Sequence, residues 1–338
     1  MRPTLSDVAK MAGVSVATAS RALSNPDLVA DSTRRAVRDA ANSCGYKVNL
    51  VARSLRIQRT NTLLVLQPCI DNPFYPMLLR SIEDTALSFG YSVMVGFTAK
   101  SDKYREAYGD LLSNGRVDGV IIIDGGSNVS DLTGPRPEVP AVQVLDVVYG
   151  ASVPAVRVDD AQVADLAVRH LVSLGHRRIA HISGPPDSAL SAARRDGFLA
   201  AMARLGLSVD DGLIEPGHNR RDGAAAAMNK LLGLGKPPTA VFCANDSMAC
   251  AAMDVCRERG INVPGDMSFI GADDTTDGQH IYPALTTIHV PRMEIGARAT
   301  ELLIGLIRGQ GGIPHDTVMP VELKLRGSHG QIRSAVAA

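Results

Sequence analysis

Apolar positions follow two rhythms along this 338-residue chain. Up to Gly45 they recur at helical spacing. Thr4-Leu5-Ser6-Asp7 has the pattern of a capping box, with an acidic residue three after Thr4, and opens a helix that runs through Ala12; Gly13 supplies the turn after it. Ser15 caps the next helix, in which Ala19, Ala22 and Leu23 share one side and Ala17, Ser20 and Arg21 the other. After the turn formers Ser24-Asn25-Pro26-Asp27, a third helix starts near Asp31-Ser32. It carries Ala36, Val37, Ala40 and Ala41 as an apolar stripe, with Arg34, Arg35 and Arg38 elsewhere on its surface, and stops at Gly45. Helix, glycine turn and second capped helix is the layout of a helix-turn-helix, whose second helix enters the DNA major groove. The same pattern also suits a short amphipathic bundle with no such role.

Beyond residue 61 continuous apolar runs alternate with amphipathic stretches. Leu63-Leu64-Val65-Leu66, Val93-Met94-Val95, Val120-Ile121-Ile122-Ile123 and Val142-Gln143-Val144-Leu145 read as strands, with helices expected around Met77–Phe89 and Lys103–Asn114. A second series holds Ile179-Ala180-His181-Ile182, Ala240-Val241-Phe242-Cys243 and Ser268-Phe269-Ile270, with helices near Ala192–Leu205, Arg221–Leu232 and Asp246–Arg259. Buried strands with helical crossovers predict parallel sheets covered on both faces, and two series predict two similar lobes. Ligands of such sheets bind beyond the carboxyl ends of the strands. The loops there hold Asp71-Asn72-Pro73-Phe74-Tyr75, Asp124, Asp146, Ser188, Asn245-Asp246 and Asp273-Asp274. They are polar and carboxylate-rich with a few aromatics, which suits hydroxyl groups better than a phosphate.

Composition adds a polarity to this plan. The formal charge is zero, but residues 1–60 carry ten Lys or Arg against four Asp or Glu, so a head of +6 precedes a body of −6. That asymmetry points to a polyanion partner for the head alone. Apolar content of 45% with 21% charged residues is that of a soluble globular protein, and the absence of Trp argues against a site built on indole stacking. Polar residues follow Met1 at once, and no apolar run reaches the ~18 residues a membrane span needs, so a cytoplasmic protein with no membrane contact is expected. Cys44, Cys69, Cys243, Cys250 and Cys256 lack paired zinc spacing and read as reduced thiols. Neither a phosphate-binding glycine loop, a Gly-x-Ser-x-Gly nor a metal cluster is present, so no cofactor, no metal and no catalytic residue is expected. His176 and Asp118 read as structural. Asp273 and Asp274 are adjacent in a loop and expected to point apart, which argues against a catalytic carboxylate pair. Three classes remain in play: a DNA-binding regulator, a solute-binding protein of a transporter, and a sugar-metabolising enzyme.

Thr4-Leu5-Ser6-Asp7-Val8-Ala9-Lys10-Met11-Ala12-Gly13-Val14-Ser15, then Thr18-Ala19-Ser20-Arg21-Ala22-Leu23, Gly45-Tyr46, Asn49 and Ala52-Arg53-Ser54-Leu55 resemble the head of the lactose/galactose-repressor (LacI/GalR) family. Asn72-Pro73-Phe74-Tyr75, Val117-Asp118-Gly119, Leu174-Gly175-His176-Arg177-Arg178-Ile179, Arg194-Arg195-Asp196-Gly197-Phe198 and Pro283-Ala284-Leu285-Thr286-Thr287-Ile288 resemble its effector domain in the same order. The resemblance spans essentially the whole chain. It implies an N-terminal all-α helix-turn-helix domain plus an α/β two-lobed periplasmic-binding-protein-like effector domain. The domains expected are residues 1–46 for DNA binding, 47–60 for a hinge, and 61–338 for ligand binding and dimerisation. Within the last, one lobe takes about 61–160 plus 291–320 and the other about 161–290 plus 321–338.

The family's base readers fall on Val16, Ala17 and Arg21. The first two suit a thymine methyl group, and the third suits guanine O6 and N7. Thr4, Ser6, Ser15, Thr18, Ser20 and Arg34 join the DNA-facing set, with phosphate contacts that position without specifying. In the hinge the resemblance places Asn49, Ala52, Leu55 and Arg56 on DNA, with Leu55 as a wedge in the minor groove. One position departs from the pattern: Val48 stands where the family usually has a proline before the hinge Asn. Effector contacts carry over to Phe74, Arg194, Asn245 and Asp273, followed by Asp71, Tyr75 and Asn219. The implied partners are a palindromic operator, a small-molecule effector and a second copy of the chain. The effector is a sugar or sugar derivative by default, although Pro238-Thr239-Ala240-Val241-Phe242-Cys243 resembles the nucleoside-responsive branch. No C-terminal heptad segment is evident, which favours a dimer over a tetramer.

Overall fold

The computed structural model describes residues 3–24, 28–46, 59–98, 102–123, 139–147 and 153–332. Two compact units emerge, Met1–Thr60 and Asn61–Ala338. The first holds α1 (Leu5–Met11), α2 (Val16–Ser24) and α3 (Asp31–Cys44). The capping box forms in full: Thr4 Oγ1 accepts the Asp7 N–H at 3.4 Å, and Asp7 Oδ2 accepts the Thr4 N–H at 2.8 Å. These bonds, first of all those from Thr4, hold the Asp7 carboxyl below its ordinary pKa. Ser15 Oγ caps α2 through the Thr18 N–H at 3.1 Å. Gly45 ends α3 at φ 67°, a conformation that costs a residue with a Cβ but not glycine.

Val8, Ala9, Ala19, Ala22, Val37, Ala40 and Ala41 form the small core of this unit. Ala36, expected in the stripe, is exposed. At about 100° per residue it sits a quarter turn away from Val37 and so leaves the buried arc.

The second unit contains, among the described residues, two six-stranded sheets. The first sheet builds from β1 (Thr62–Gln67), β2 (Ser92–Phe97), β3 (Gly119–Ile122), β4 (Ala141–Val144) and β5 (Ala155–Val158), with α4 (Tyr75–Ser88) and α5 (Asp102–Ser113) in the first two crossovers. From β5 the chain enters α6 (Asp160–Ser173), which packs on the second sheet. That sheet takes β6 (Ile179–Ser183), β7 (Ile214–Pro216), β8 (Ala240–Cys243), β9 (Ser268–Asp273) and β10 (Thr286–His289). Between them run α7 (Ala189–Arg204), α8 (Arg221–Leu232), α9 (Asp246–Glu258) and the short α10 (Thr276–His280). The chain then returns as α11 (Arg292–Ile307) onto the first lobe. It finishes with β11 (Asp316–Met319) in the first sheet and β12 (Glu322–Lys324) in the second.

The strand orders are β11-β5-β4-β3-β1-β2 and β12-β10-β9-β8-β6-β7, parallel throughout except at the antiparallel β10–β12 pair. Each sheet reverses direction around its first strand, the topology that opens a crevice at the carboxyl ends. Three connections join the lobes, at β5–α6, β10–α11 and β11–β12. Apart from Thr62, the residues of β1, β6 and β8 are all buried, as their mainly apolar runs require. The pairing of α6 with α7 depends on Gly197, where a Cβ would stand 2.6 Å from the Ala161 Cα. No helix among the described residues is long and apolar enough to cross a membrane.

Candidate functional site

In the first unit, packing of Ala19 and Ala22 against α1 and α3 fixes which side of α2 faces outward. Val16, Ala17 and Arg21 lie on that side, and all three are exposed. Ser6 and Thr4 are exposed at the start of α1, and Ser15 and Thr18 share a 2.8 Å hydrogen bond at the start of α2. Ser20 is half-buried on the flank of α2, and Arg34 pairs with Asp31 at 2.6 Å on α3. The surface therefore combines backbone N–H groups at two helix starts, short hydroxyl side chains and one extended guanidinium. Those are the components of phosphate positioning and guanine reading. Asn49, Ala52, Leu55 and Arg56 lie outside the described residues.

In the second unit a cavity of about 190 Å³ lies at the carboxyl ends of both sheets. Phe74, Tyr75, Arg194, Asn219, Asn245 and Asp273 all line it. Asp71 does not; it is exposed outside the lining, near enough to Arg220 for their charges to interact. The cause is a local turn in which Asn72 Oδ1 accepts the Phe74 N–H at 2.9 Å, carrying Phe74 and Tyr75 inward. The two rings meet edge to face, with centroids 5.6 Å apart.

Arg194 projects from α7 and is almost fully buried. Its Nε and Nη2 donate to Asp160 Oδ1 at 3.1 and 2.5 Å, and its Nη1 donates to the Ala244 carbonyl. Burial pushes the Asp160 carboxyl upward, and the guanidinium partly offsets that. Asn245 caps α9, accepting the Met248 N–H at 2.8 Å through Oδ1, and its Nδ2 donates to Asn219 Oδ1 at 3.3 Å. Asn219 itself adopts φ 58°, after His218 at 56°.

Asp273 and Asp274 both have positive φ, 125° and 60°. This twist separates their side chains. Asp273 faces the cavity, where burial drives its carboxyl well above the ordinary range and neighbouring Asp246 reinforces the shift. Asp274 turns away to Arg326 at 2.5 Å, His289 at 3.0 Å and Gln279 at 3.2 Å. Burial alone would raise it, but these partners hold it below the usual range. Asp246 is wholly buried; it accepts from Thr275 N at 2.7 Å and Thr287 Oγ1 at 2.5 Å, and burial lifts it to about 6. Asp273 and Asp274 thus belong to different environments and do not share a proton site.

Asp146, Asp187, Ser188 and Asn72 also line the cavity without having been singled out as contacts. Position after a strand marked Asp146, Ser188 and Asn72 as loop residues; nothing local marks Asp160 as the partner of Arg194. Asp146 stands on the first lobe and accepts the Ser188 hydroxyl at 2.9 Å and the Leu190 N–H at 3.0 Å on the second. Arg292 opens α11 with its guanidinium 5.5 Å above the Phe74 ring and donates to the Asp274 carbonyl at 2.6 Å. Outside the cavity, His176 bonds to Thr239, Ser268 and the Gly330 carbonyl, and Asp118 accepts the Asn61 N–H at 3.0 Å. Both hold turns together.

Residues 4–49 match the model of the lacI family of bacterial regulatory proteins, and residues 168–329 match that of the periplasmic binding protein-like domain. The transcriptional repressor CytR of Escherichia coli K12 is 37% identical over 328 residues, covering 96% of both chains. The regulator GalR of the same strain is 33% identical over 305 residues, covering 90% of this chain and 89% of its own. Among solved structures, the lac repressor dimer bound to operator and the anti-inducer ONPF superposes with a TM-score of 0.86 at 28% identity, over 98% of this chain and all of that one. The CelR–cellobiose complex gives 0.74 at 30% identity, over 97% and 100%. This chain belongs to the lacI family of bacterial transcriptional regulators, with a helix-turn-helix DNA-binding domain and a two-lobed α/β effector domain.

Proposed function

We propose that this protein is a cytoplasmic repressor of a carbohydrate-utilisation operon, and not an enzyme. It binds a palindromic operator as a homodimer and responds to a sugar or sugar derivative held in the cleft of the second unit. The observation that carries this reading is the cleft itself. It collects Phe74, Tyr75, Arg194, Asn219, Asn245 and Asp273 at the carboxyl ends of two sheets, with an aromatic wall for the apolar face of a ring and polar groups for hydroxyls. Ligand seated there bridges the lobes and favours their closed arrangement; the coupling to DNA is bounded by the ligand's differential affinity for the two arrangements. On DNA, Arg21 reads guanine, Val16 and Ala17 meet thymine methyls, and Leu55 wedges the minor groove between two subunits.

A second reading is favoured by one observation: CytR is 37% identical across nearly the whole chain, and this chain shares phrasing with the nucleoside-responsive branch. On that reading the aromatic wall takes a nucleobase and the polar side a ribose. The test is recovery of bound genomic fragments by the full-length protein, followed by titration of the best fragment with sugars and nucleosides. A reproducible palindromic site, with affinity altered at least tenfold by one of these compounds, is expected. Loss of specific binding in Leu55→Ala supports the wedge, and retention of tight specific binding excludes it.

A further inference from the structure

The charge inventory of the effector cleft says what it admits. Among the described residues that line it, Asp146, Asp187 and Asp273 are acids and Arg194 is the single cation. That cation is already neutralised: two of its nitrogens engage Asp160 and a third engages the Ala244 carbonyl. Just behind the lining, Arg292 donates to the Asp274 carbonyl at 2.6 Å and lies over the Phe74 ring, and its charge acts on the Asp273 carboxyl. Among the described lining residues, an anionic ligand would meet the carboxylates of Asp146 and Asp187 and a single cation already engaged by Asp160.

Two helix starts at the cleft, another common seat for a phosphate, are also taken. The start of α7 gives its Leu190 N–H to Asp146 and its Ser191 N–H to Ser188 Oγ. At the start of α9, the Met248 N–H goes to Asn245 Oδ1 and the Asp246 backbone to the Asp273 carboxyl. What the cleft offers instead is acceptor oxygens on Asp146, Asp187, Asp273 and Asn219. A hydroxyl donates to these; a phosphate, which has only acceptors when ionised, cannot.

We propose that the cleft selects an uncharged, polyhydroxylated ligand against its phosphorylated form, and that Asp160 sets this selectivity by occupying Arg194. The proposal rests on the effector-binding reading above. It makes Asp160, which does not itself line the cavity, a positioning residue for specificity, since an Arg194 freed of it presents a fork suited to bidentate phosphate binding.

The test is a thermal-shift titration of the full-length protein with glucose, galactose, cytidine and adenosine, each beside glucose 6-phosphate, galactose 1-phosphate, cytidine 5′-monophosphate or adenosine 5′-monophosphate. At least one neutral compound is expected to bind with its phosphate at least tenfold weaker. A phosphorylated compound binding within tenfold of its parent, or more tightly, overturns the proposal. Silence of the whole panel, neutral and phosphorylated alike, overturns the effector reading and the proposal with it. In folded Asp160→Asn the ratio between the two forms should narrow at least fivefold, while Asp160→Glu restores it; an unchanged ratio removes Asp160 from the account. If Asp160→Asn does not fold, Asp187→Asn at the exposed rim tests the same electrostatics, with a narrowing of at least twofold expected and no narrowing counting against it.

Discussion

His181 lies at the centre of β6, fully buried and stacked between Phe198 and Phe242 at centroid distances of 5.1 and 4.9 Å. Its Nδ1 meets the Phe242 carbonyl at 3.0 Å, whereas its Nε2 has no partner. Burial therefore opposes protonation and takes the imidazole from its ordinary 6.5 down to about 4. The folded state binds fewer protons than the unfolded state between those values, so stability from this residue is present above pH 6.5 and is lost as pH falls towards 4. Between pH 7 and pH 4.5 the two-state linkage gives a loss of about 2 kcal/mol from this ring alone. The buried acids Asp246 and Asp273 act in the opposite sense, because their raised carboxyls stabilise the fold at low pH, so the whole-protein slope is a poor readout. The difference between wild type and His181→Gln isolates the ring, since Gln keeps an N–H donor without a titrating proton. Urea unfolding followed by far-ultraviolet circular dichroism at the two pH values should show that difference shifting by about 2 kcal/mol in favour of the variant at pH 4.5. A difference that stays constant with pH would refute the assignment of a neutral, desolvated imidazole.

Four other outcomes follow from individual contacts. Arg194→Met leaves Asp160 buried without its partner and should cost about 3–5 kcal/mol at neutral pH, with much of the loss recovered in the double variant with Asp160→Asn; thermal midpoints of the four proteins close the cycle. Gly197→Ala forces a methyl to 2.6 Å from the Ala161 backbone and should destabilise the second unit by about 1–3 kcal/mol, seen as a lower midpoint. Thr4→Ala removes the capping box and should cost the first unit about 1 kcal/mol, read as faster amide exchange in α1. Arg21→Ala should relax discrimination at one operator base pair by about 1–3 kcal/mol, whereas Ser6→Ala should weaken binding to all sequences alike; competition between operator variants separates the two.

The polar groups of the cleft are held by one another. Asp146 reaches from the first lobe to the start of α7 on the second, and Arg292 ties the Phe74 wall to the backbone of Asp274.

Periodicity alone determined much of this protein. Helical spacing in the head, uninterrupted apolar runs in the body and capping residues at Thr4, Ser15 and Gly45 are local properties, because backbone dihedrals and side-chain direction repeat over a few residues. Several helix limits lie within two or three residues of expectation for the same reason; α7 begins at Ala189, where Ser188 caps it, and not at Ala192. Short strands such as β5, β7, β11 and β12 lack an apolar run long enough to announce themselves, and exist because a neighbouring strand supplies their hydrogen bonds. Only the tertiary structure decided how the loops converge. Asp71 and Phe74 are three residues apart, yet one lies outside the cavity and the other inside. Asp273 and Asp274 are adjacent, yet two left-handed dihedrals send them to different partners. The partner of Arg194 is 34 residues away on another helix. Such outcomes depend on contacts between elements distant in the chain and on single backbone angles. No periodic pattern encodes either, because the pattern specifies which face is buried and not which neighbour buries it.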